Sequence, residues 1–152
     1  MVPEEMYDEA VIRPGGARGH LAIRQVAMPA NTNQNGDIFG GWIMSQMDVG
    51  GGVYARLVTG GRVVTVAVEA LTFHKPVQVG DEVSVYCSVV RKGRTSITIH
   101  VQTWVRRYPG VKSWSGTNRT DPAEYGKFFL VTEGNFVFVR VDDGGNPIPF
   151  PQ

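Results

Sequence analysis

From Gly40 to Leu57 the chain carries one long helical pattern, and everything after it reads as strands. Trp42, Ile43, Met44, Met47, Val49, Val53, Tyr54 and Leu57 cover most of a helical circumference, and Arg56 marks the exit. A helix that is apolar around most of its surface is normally buried. Gly60-Gly61 ends it. Gly50-Gly51-Gly52 sits inside the pattern, although each Gly costs about 1 kcal/mol relative to Ala in a helix interior. Apolar periodicity resumes at Val53 and Tyr54, so the glycines predict close packing of another backbone rather than a helix end.

The flanking sequence has the other period. Leu21–Val26 predicts a short strand stopped by Pro29, and Ala30–Asp37 is a polar, Asn- and Gly-rich loop too long for a hairpin turn. Arg62–Phe73 and Glu82–Val90 are rich in β-branched residues. In Thr95–Arg106, Ile97, Ile99, Val101, Thr103 and Val105 alternate with Ser96, Thr98, His100, Gln102 and Trp104. A last run, Phe128–Val141, contains Gly134 as a bulge or close-approach point. Residues 1–18 read as a flexible tail, 19–142 as one domain and 143–152 as a C-terminal tail. One strand, one long helix and four more strands joined largely by short turns predict an α+β domain. An antiparallel β-sheet wraps around one long central α-helix, because each has no other surface on which to bury its apolar face.

Composition narrows the function classes. With 42% apolar and 19% charged residues, the chain is of ordinary globular type. A net charge of +1, with Lys and Arg scattered, is no nucleic-acid signature. No apolar run reaches membrane-spanning length. Acids (Glu4, Glu5, Asp8, Glu9) stand where a secretory signal would be basic and then apolar, and Cys87 is the single cysteine, in an alternating apolar run. These features predict a cytoplasmic protein with no disulfide. His20, His74 and His100 show no metal-ligand spacing, so no metal is assigned.

Asp48 is the one carboxylate in the apolar helix, and a buried carboxylate is costly unless paired or used. Two readings stand for it: a group that does chemistry, or an interruption of the helix before the glycines. Gly40-Gly41 at the helix start leaves backbone N–H groups without side chains in the way, donors suited to an oxygen gaining negative charge. An ordinary glycine-rich helix start is the alternative.

The string Ala27-Met-Pro-Ala-Asn-Thr-Asn-Gln-Asn-Gly-Asp-Ile-Phe-Gly-Gly-Trp-Ile-Met-Ser-Gln-Met-Asp48 resembles the hotdog-fold acyl-CoA thioesterases of the broad-specificity bacterial type. Arg62–Glu69, Phe73–Asp81, Arg91–Ser96 and Trp104-Val105 are similar to further blocks of that family. The resemblance implies a hotdog fold and hydrolysis of fatty acyl-CoA to free acid and CoA. It implies no cofactor, since CoA belongs to the substrate, and assembly of hotdog dimers, commonly as a trimer of dimers. It implies Asp48 as general base or nucleophile, and Asn33 as the group that holds substrate or attacking water; Asn31 and Asn35 read as turn residues. Two departures stand out: His74, where relatives often have an aliphatic residue, and the long connection Tyr108–Gly126.

Geometry adds a condition. Gly41 and Asp48 are seven residues apart, about 10 Å along one helix. One thioester carbonyl and its attacking water cannot easily touch both. Two antiparallel helices side by side would bring Gly41 of one chain near Asp48 of another, with Gly51 and Gly52 permitting the approach. The expected site is therefore shared between subunits, with catalytic Asp48, Asn33 and Gly41. Lys75, Arg91, Lys92 and Arg94, with Ser96 as a donor, are candidates for the CoA phosphates and adenine. Gly40, Thr65, Val66 and His74 complete the substrate-binding set, Thr65 and Val66 as channel or core positions on the strand beside the helix. Two other readings compete: an acyl-CoA-binding sensor without catalysis, and a hotdog β-hydroxyacyl-thioester dehydratase. The latter would rely on a catalytic His, and none lies in the loop or helix start.

Overall fold

A computed structural model describes residues 19–108 and 126–150. The elements run β1 (His20–Val26), a 3-10 turn (Pro29–Asn31), α1 (Gly40–Thr59), β2 (Val63–Phe73), β3 (Glu82–Lys92), β4 (Ser96–Arg106) and β5 (Phe128–Arg140). The five strands form one antiparallel sheet in the order β1-β3-β4-β5-β2. The helix packs on one face of it, touching every strand. This is the expected α+β arrangement.

The buried stripe of α1 is Ile43, Met47, Gly50, Gly51, Tyr54, Ala55 and Thr59, the spacing of one helical face. It meets Val83, Val85, Ile97, Ile99, Val101, Phe136 and Phe138 from the sheet in one core. Gly60, with φ 75°, ends the helix in the left-handed region that glycine adopts without steric cost, and its N–H reaches Arg56 O at 2.8 Å. Cys87 is a core residue whose burial pushes its thiol well above the ordinary range. It packs, as a small apolar group would.

The expectation of an all-round buried helix is corrected. Met44, Val49, Val53 and Leu57 stand out of α1 with 36–55% of their surface exposed. The physical reason is layer count: one sheet and one helix form two layers, and a single sheet can cover only one side of a helix.

Gly50 and Gly51 are closely packed, but against side chains of the sheet rather than the second backbone expected. A β-carbon at Gly50 would lie 2.9 Å from Val85 Cγ1, and one at Gly51 would lie 3.0 Å from Phe138 Cζ. At Gly134 a β-carbon would come within 3.1 Å of Leu71 Cα, where β2 bulges and Ala70 takes φ 53°. After β5 the chain turns at Asp142–Asn146 and runs back, with Ile148 N–H on Arg140 O and Phe150 against the core. The N-terminal stretch 1–18 and the connection 109–125 lie outside the described residues.

Candidate functional site

Asp48 lies on the flank of α1 that faces β2. Thr65 Oγ1 donates to Asp48 Oδ1 at 2.6 Å, tying helix to strand across seventeen positions of sequence. The two residues line an open cavity of about 290 Å³ together with Met44, Ser45, Val68 and Phe136. Asp48 is half-buried rather than buried, because β2 is the border of the sheet and, among the described residues, no strand lies beyond it. A carboxylate with one oxygen held by a hydroxyl, in the lining of an apolar-walled cavity, can activate water or attack an acyl carbon.

Local chemistry explains the helix start. Phe39 occupies the N-cap with φ −64° and ψ 127°, and its side chain makes no capping hydrogen bond. Ser, Thr, Asp or Asn is preferred there, and losing such a cap costs about 1 kcal/mol. The chain forgoes that stabilisation, and the N–H groups of Gly40 and Gly41 are left to whatever binds in front of them.

The loop before the helix is held by its own asparagine. Asn33 Oδ1 accepts the N–H groups of Asn35 at 2.9 Å and Asp37 at 3.2 Å, which leaves the amide NH₂ as the group able to donate outward. Phe39 N–H bonds to Asn31 O at 2.8 Å, and Ile38 N–H to Val77 O at 3.4 Å, so the loop is anchored to the β2–β3 connection. That connection is clamped in turn. Arg107 donates to both oxygens of Asp81, at 2.9 and 2.8 Å, and to Pro76 O at 3.2 Å. Both side chains are buried, and breaking such a pair strands a charge away from water at a cost of about 3–5 kcal/mol.

Of the residues expected at the site, Asp48 and Thr65 come together, the Gly40-Gly41 pair forms the helix start, Asn33 holds the loop that leads into it, and the rest are elsewhere. Val66 is exposed and does not line the Asp48 cavity, whereas Val68 does. His74 Nε2 faces Glu133 Oε2 at 3.0 Å, and His100 Nε2 faces Glu133 Oε1 at 3.3 Å. These groups line a separate hollow of about 180 Å³ with Ala70, Thr72, Gly134 and Asn135. Lys75 Nζ sits 4.9 Å from the centroid of the Phe129 ring. Arg91, Lys92 and Arg94 project from the exposed β3–β4 hairpin, where Ser96 O accepts the Gly93 N–H and Arg91 lies 3.8 Å from Glu69.

The expectation that Gly51 and Gly52 admit a second helix beside Asp48 divides: Gly51 is closed off, and Gly52 is left open. Gly51 is filled by Phe138 of the same chain, and a β-carbon at Gly52 would meet only Phe138 Cε1 at an ordinary 3.7 Å. Sequence reasoning missed the Thr65–Asp48 bond and the wall residues Met44, Ser45 and Phe136. Helical spacing from Asp48 points to Met44 and Ser45, four and three positions back. No spacing rule reaches Thr65 or Phe136.

With this geometry in hand, comparison with known proteins is informative. The family model described as the thioesterase superfamily matches residues 35–107. The acyl-CoA thioester hydrolase YciA of Salmonella typhimurium is 46% identical over 134 residues, 88% of this chain and 92% of that protein. The crystal structure of HI0827, a hexameric broad-specificity acyl-coenzyme A thioesterase, superposes with a TM-score of 0.78 at 45% identity, covering 90% of this chain and 84% of the other. Cj0915, a hexameric hotdog-fold thioesterase of Campylobacter jejuni, superposes with a TM-score of 0.75 at 34% identity, covering 88% and 91%.

Proposed function

The chain belongs to the hotdog-fold acyl-CoA thioester hydrolases of the thioesterase superfamily, and from that membership we propose that it hydrolyses fatty acyl-CoA to free acid and CoA with Asp48 as its working carboxylate. The observation that carries this reading is Asp48 itself: a half-buried carboxylate, oriented by Thr65, in an apolar-walled cavity at the border of the sheet.

The chemistry follows from the groups present. The thioester oxygen gains charge as the carbonyl is attacked, and the uncapped N–H groups of Gly40 and Gly41 at the positive end of α1 supply donors for it. Asn33, its carbonyl oxygen occupied within the loop, contributes its NH₂ to the substrate or the water. Asp48 either takes a proton from water or attacks the acyl carbon directly to give an anhydride that water then opens. The leaving group is the CoA thiolate. Arg91, Lys92 and Arg94 on their hairpin, with Lys75, His74 and Ser96, meet the nucleotide end, whose phosphates attract exposed cations. Thr65 and Val68 flank the acyl path beside Asp48. No metal or organic cofactor is called for.

The site is completed by a second subunit. Gly41 and Asp48 are too far apart along one helix to serve one carbonyl, and β2 offers an unpaired, apolar border next to Asp48. Pairing two β2 strands antiparallel about a twofold axis brings the Thr65 end of one against the Phe73 end of the other, beside its Gly40. HI0827 and Cj0915 are hexamers; the same assembly, in a cytoplasmic setting, is the reading for this chain. Among the described residues no helix is long and apolar enough to cross a membrane.

Release of CoA from a series of acyl-CoA esters tests the activity. Asp48→Asn is expected to lower kcat by about 10²–10⁴; full activity in that variant overturns the assignment, and no turnover by the wild type overturns the function. The shared site has its own test. Asp48→Asn and Gly41→Ala chains, each inactive, are expected to regain about a quarter of wild-type activity when co-assembled at random, since half the pairs are mixed and one site in each is intact. No recovery would place the site within one chain.

A further inference from the structure

We propose that Phe39 and Phe73 form an apolar collar that closes around the thioester carbonyl and keeps water from the Gly40 and Gly41 donors. The collar rests on the hydrolase reading above and adds two substrate-contacting residues to it.

Both rings stand half in solvent, Phe39 with 56% and Phe73 with 48% of its surface exposed, and neither belongs to the core. Their positions are specific. A β-carbon at Gly41 would lie 2.6 Å from Phe39 Cε1 and 3.2 Å from its Cδ1 and Cζ, so the ring lies directly against the Gly41 backbone. A β-carbon at Gly40 would lie 3.8 Å from Phe73 Cε1 and Cζ, from the end of β2. Two phenyl rings from different elements thus flank the same pair of uncapped N–H groups. The backbone of Phe39 is fixed on both sides, its N–H on Asn31 O and its C=O accepting Trp42 N–H at 3.0 Å, which holds the ring's attachment point relative to the donors.

A phenyl ring at an N-cap does what the usual capping residues cannot. It leaves the helix donors unoccupied, because it accepts no conventional hydrogen bond, and it displaces water from beside them. Donors aimed at a developing oxyanion are worth far more where water is excluded. The rings also offer apolar contact to the methylenes on either side of the thioester. That contact is the same for every acyl length, so the collar acts on the reacting group and leaves chain-length choice to other walls.

The experiment compares Phe39→Ala, Phe39→Leu and Phe73→Ala with wild type and Asp48→Asn, on one short and one long acyl-CoA. In Phe39→Ala, kcat is expected to fall about ten- to a hundredfold by the same factor on both substrates, with KM changed less than about threefold. Phe39→Leu, which keeps apolar bulk, is expected to fall between, and serves as the test should the alanine variant not fold. In both Phe39 variants subunit assembly and melting temperature are expected to stay at wild-type values. Phe73→Ala, which also touches the β2 border, is expected to lose kcat equally on both substrates in the fraction that stays assembled. A kcat within about twofold of wild type in both Phe39 variants overturns the collar, as does a loss confined to one chain length, which would make the ring part of the acyl channel. A loss that tracks dissociation also overturns it, because the ring would then be an interface residue. Inactive Asp48→Asn beside fully active Phe39→Ala removes the collar alone, whereas no turnover by wild type removes the hydrolase reading as well.

Discussion

At one border of the sheet β1 exposes Arg24, Gln25 and Val26, and it ties Arg24 to Ser84 Oγ at 2.8 Å, Tyr86 Oη at 3.0 Å and Glu82 at 3.3 Å. At the other border β2 exposes Val64, Val66, Val68 and Phe73, and Met44 of α1 stands beside it in the Asp48 cavity. An edge strand is a row of unpaired backbone groups, and charged side chains are a common device for keeping other strands away from it. Strand β1 has that protection. Strand β2 presents apolar, β-branched residues beside the only carboxylate of the helix, a surface more apolar than a chain leaves to water without a use. The difference teaches that one border of this sheet is guarded and the other is left apolar, with Asp48 placed at the unguarded one, which is the border the proposed subunit pairing uses.

The largest effect is expected from making β2 resemble β1. Val64→Lys with Val66→Lys sets like charges along a twofold-related strand pair, which is destabilising. The double variant is expected to sediment as smaller species and to lose activity by about a hundredfold or more, since the site would lack its second half. Gln25→Lys on β1 is expected to change neither. Equal loss from both, or none from the β2 variant, breaks the comparison.

A smaller effect is expected at Thr65, the β2 residue that reaches Asp48. Thr65→Val keeps the shape of the strand and removes the hydroxyl from Asp48 Oδ1. A hydrogen bond to a charged group contributes about 1.5–3 kcal/mol, so kcat is expected to fall about ten- to a hundredfold with assembly intact. If kcat is unchanged while assembly weakens, Thr65 serves the border and not the carboxylate.

The smallest effect belongs to the exposed hairpin. Arg91→Ala with Lys92→Ala is expected to raise KM for acyl-CoA about three- to tenfold with kcat unchanged, an effect that shrinks as salt screens the phosphates. A KM that does not move, at low and at high ionic strength, removes the hairpin from the nucleotide end.

Much of this was legible in the residues. The helix from Gly40, the strands after it, the stop at Gly60 and the close approach at Gly134 follow from local periodicity and backbone sterics, which act over a few residues and leave their mark in order along the chain. The motif ending at Asp48 was legible as a resemblance. Three things were not. The glycines of α1 turned out to receive Val85 and Phe138 from their own sheet, because which face of a helix meets which strand is set by packing between distant segments. Val68 rather than the expected Val66 lines the Asp48 cavity, since the bulge in β2 at Thr65/Ala67 shifts the alternation. His74 was drawn to Glu133 and His100, residues 59 and 26 positions away.

By itself the sequence determined the set of elements and the identity of the one acid in the apolar helix, because hydrophobic period and turn chemistry are local properties. Only the tertiary structure decided that α1 is covered on one side alone, that Asp48 meets Thr65 at the border strand, and that Phe39 and Phe73 flank the Gly40-Gly41 donors. Those outcomes depend on how one sheet and one helix divide a core between them. Two layers cannot bury a helix that is apolar all round, and of the residues left exposed Met44 lies beside Asp48.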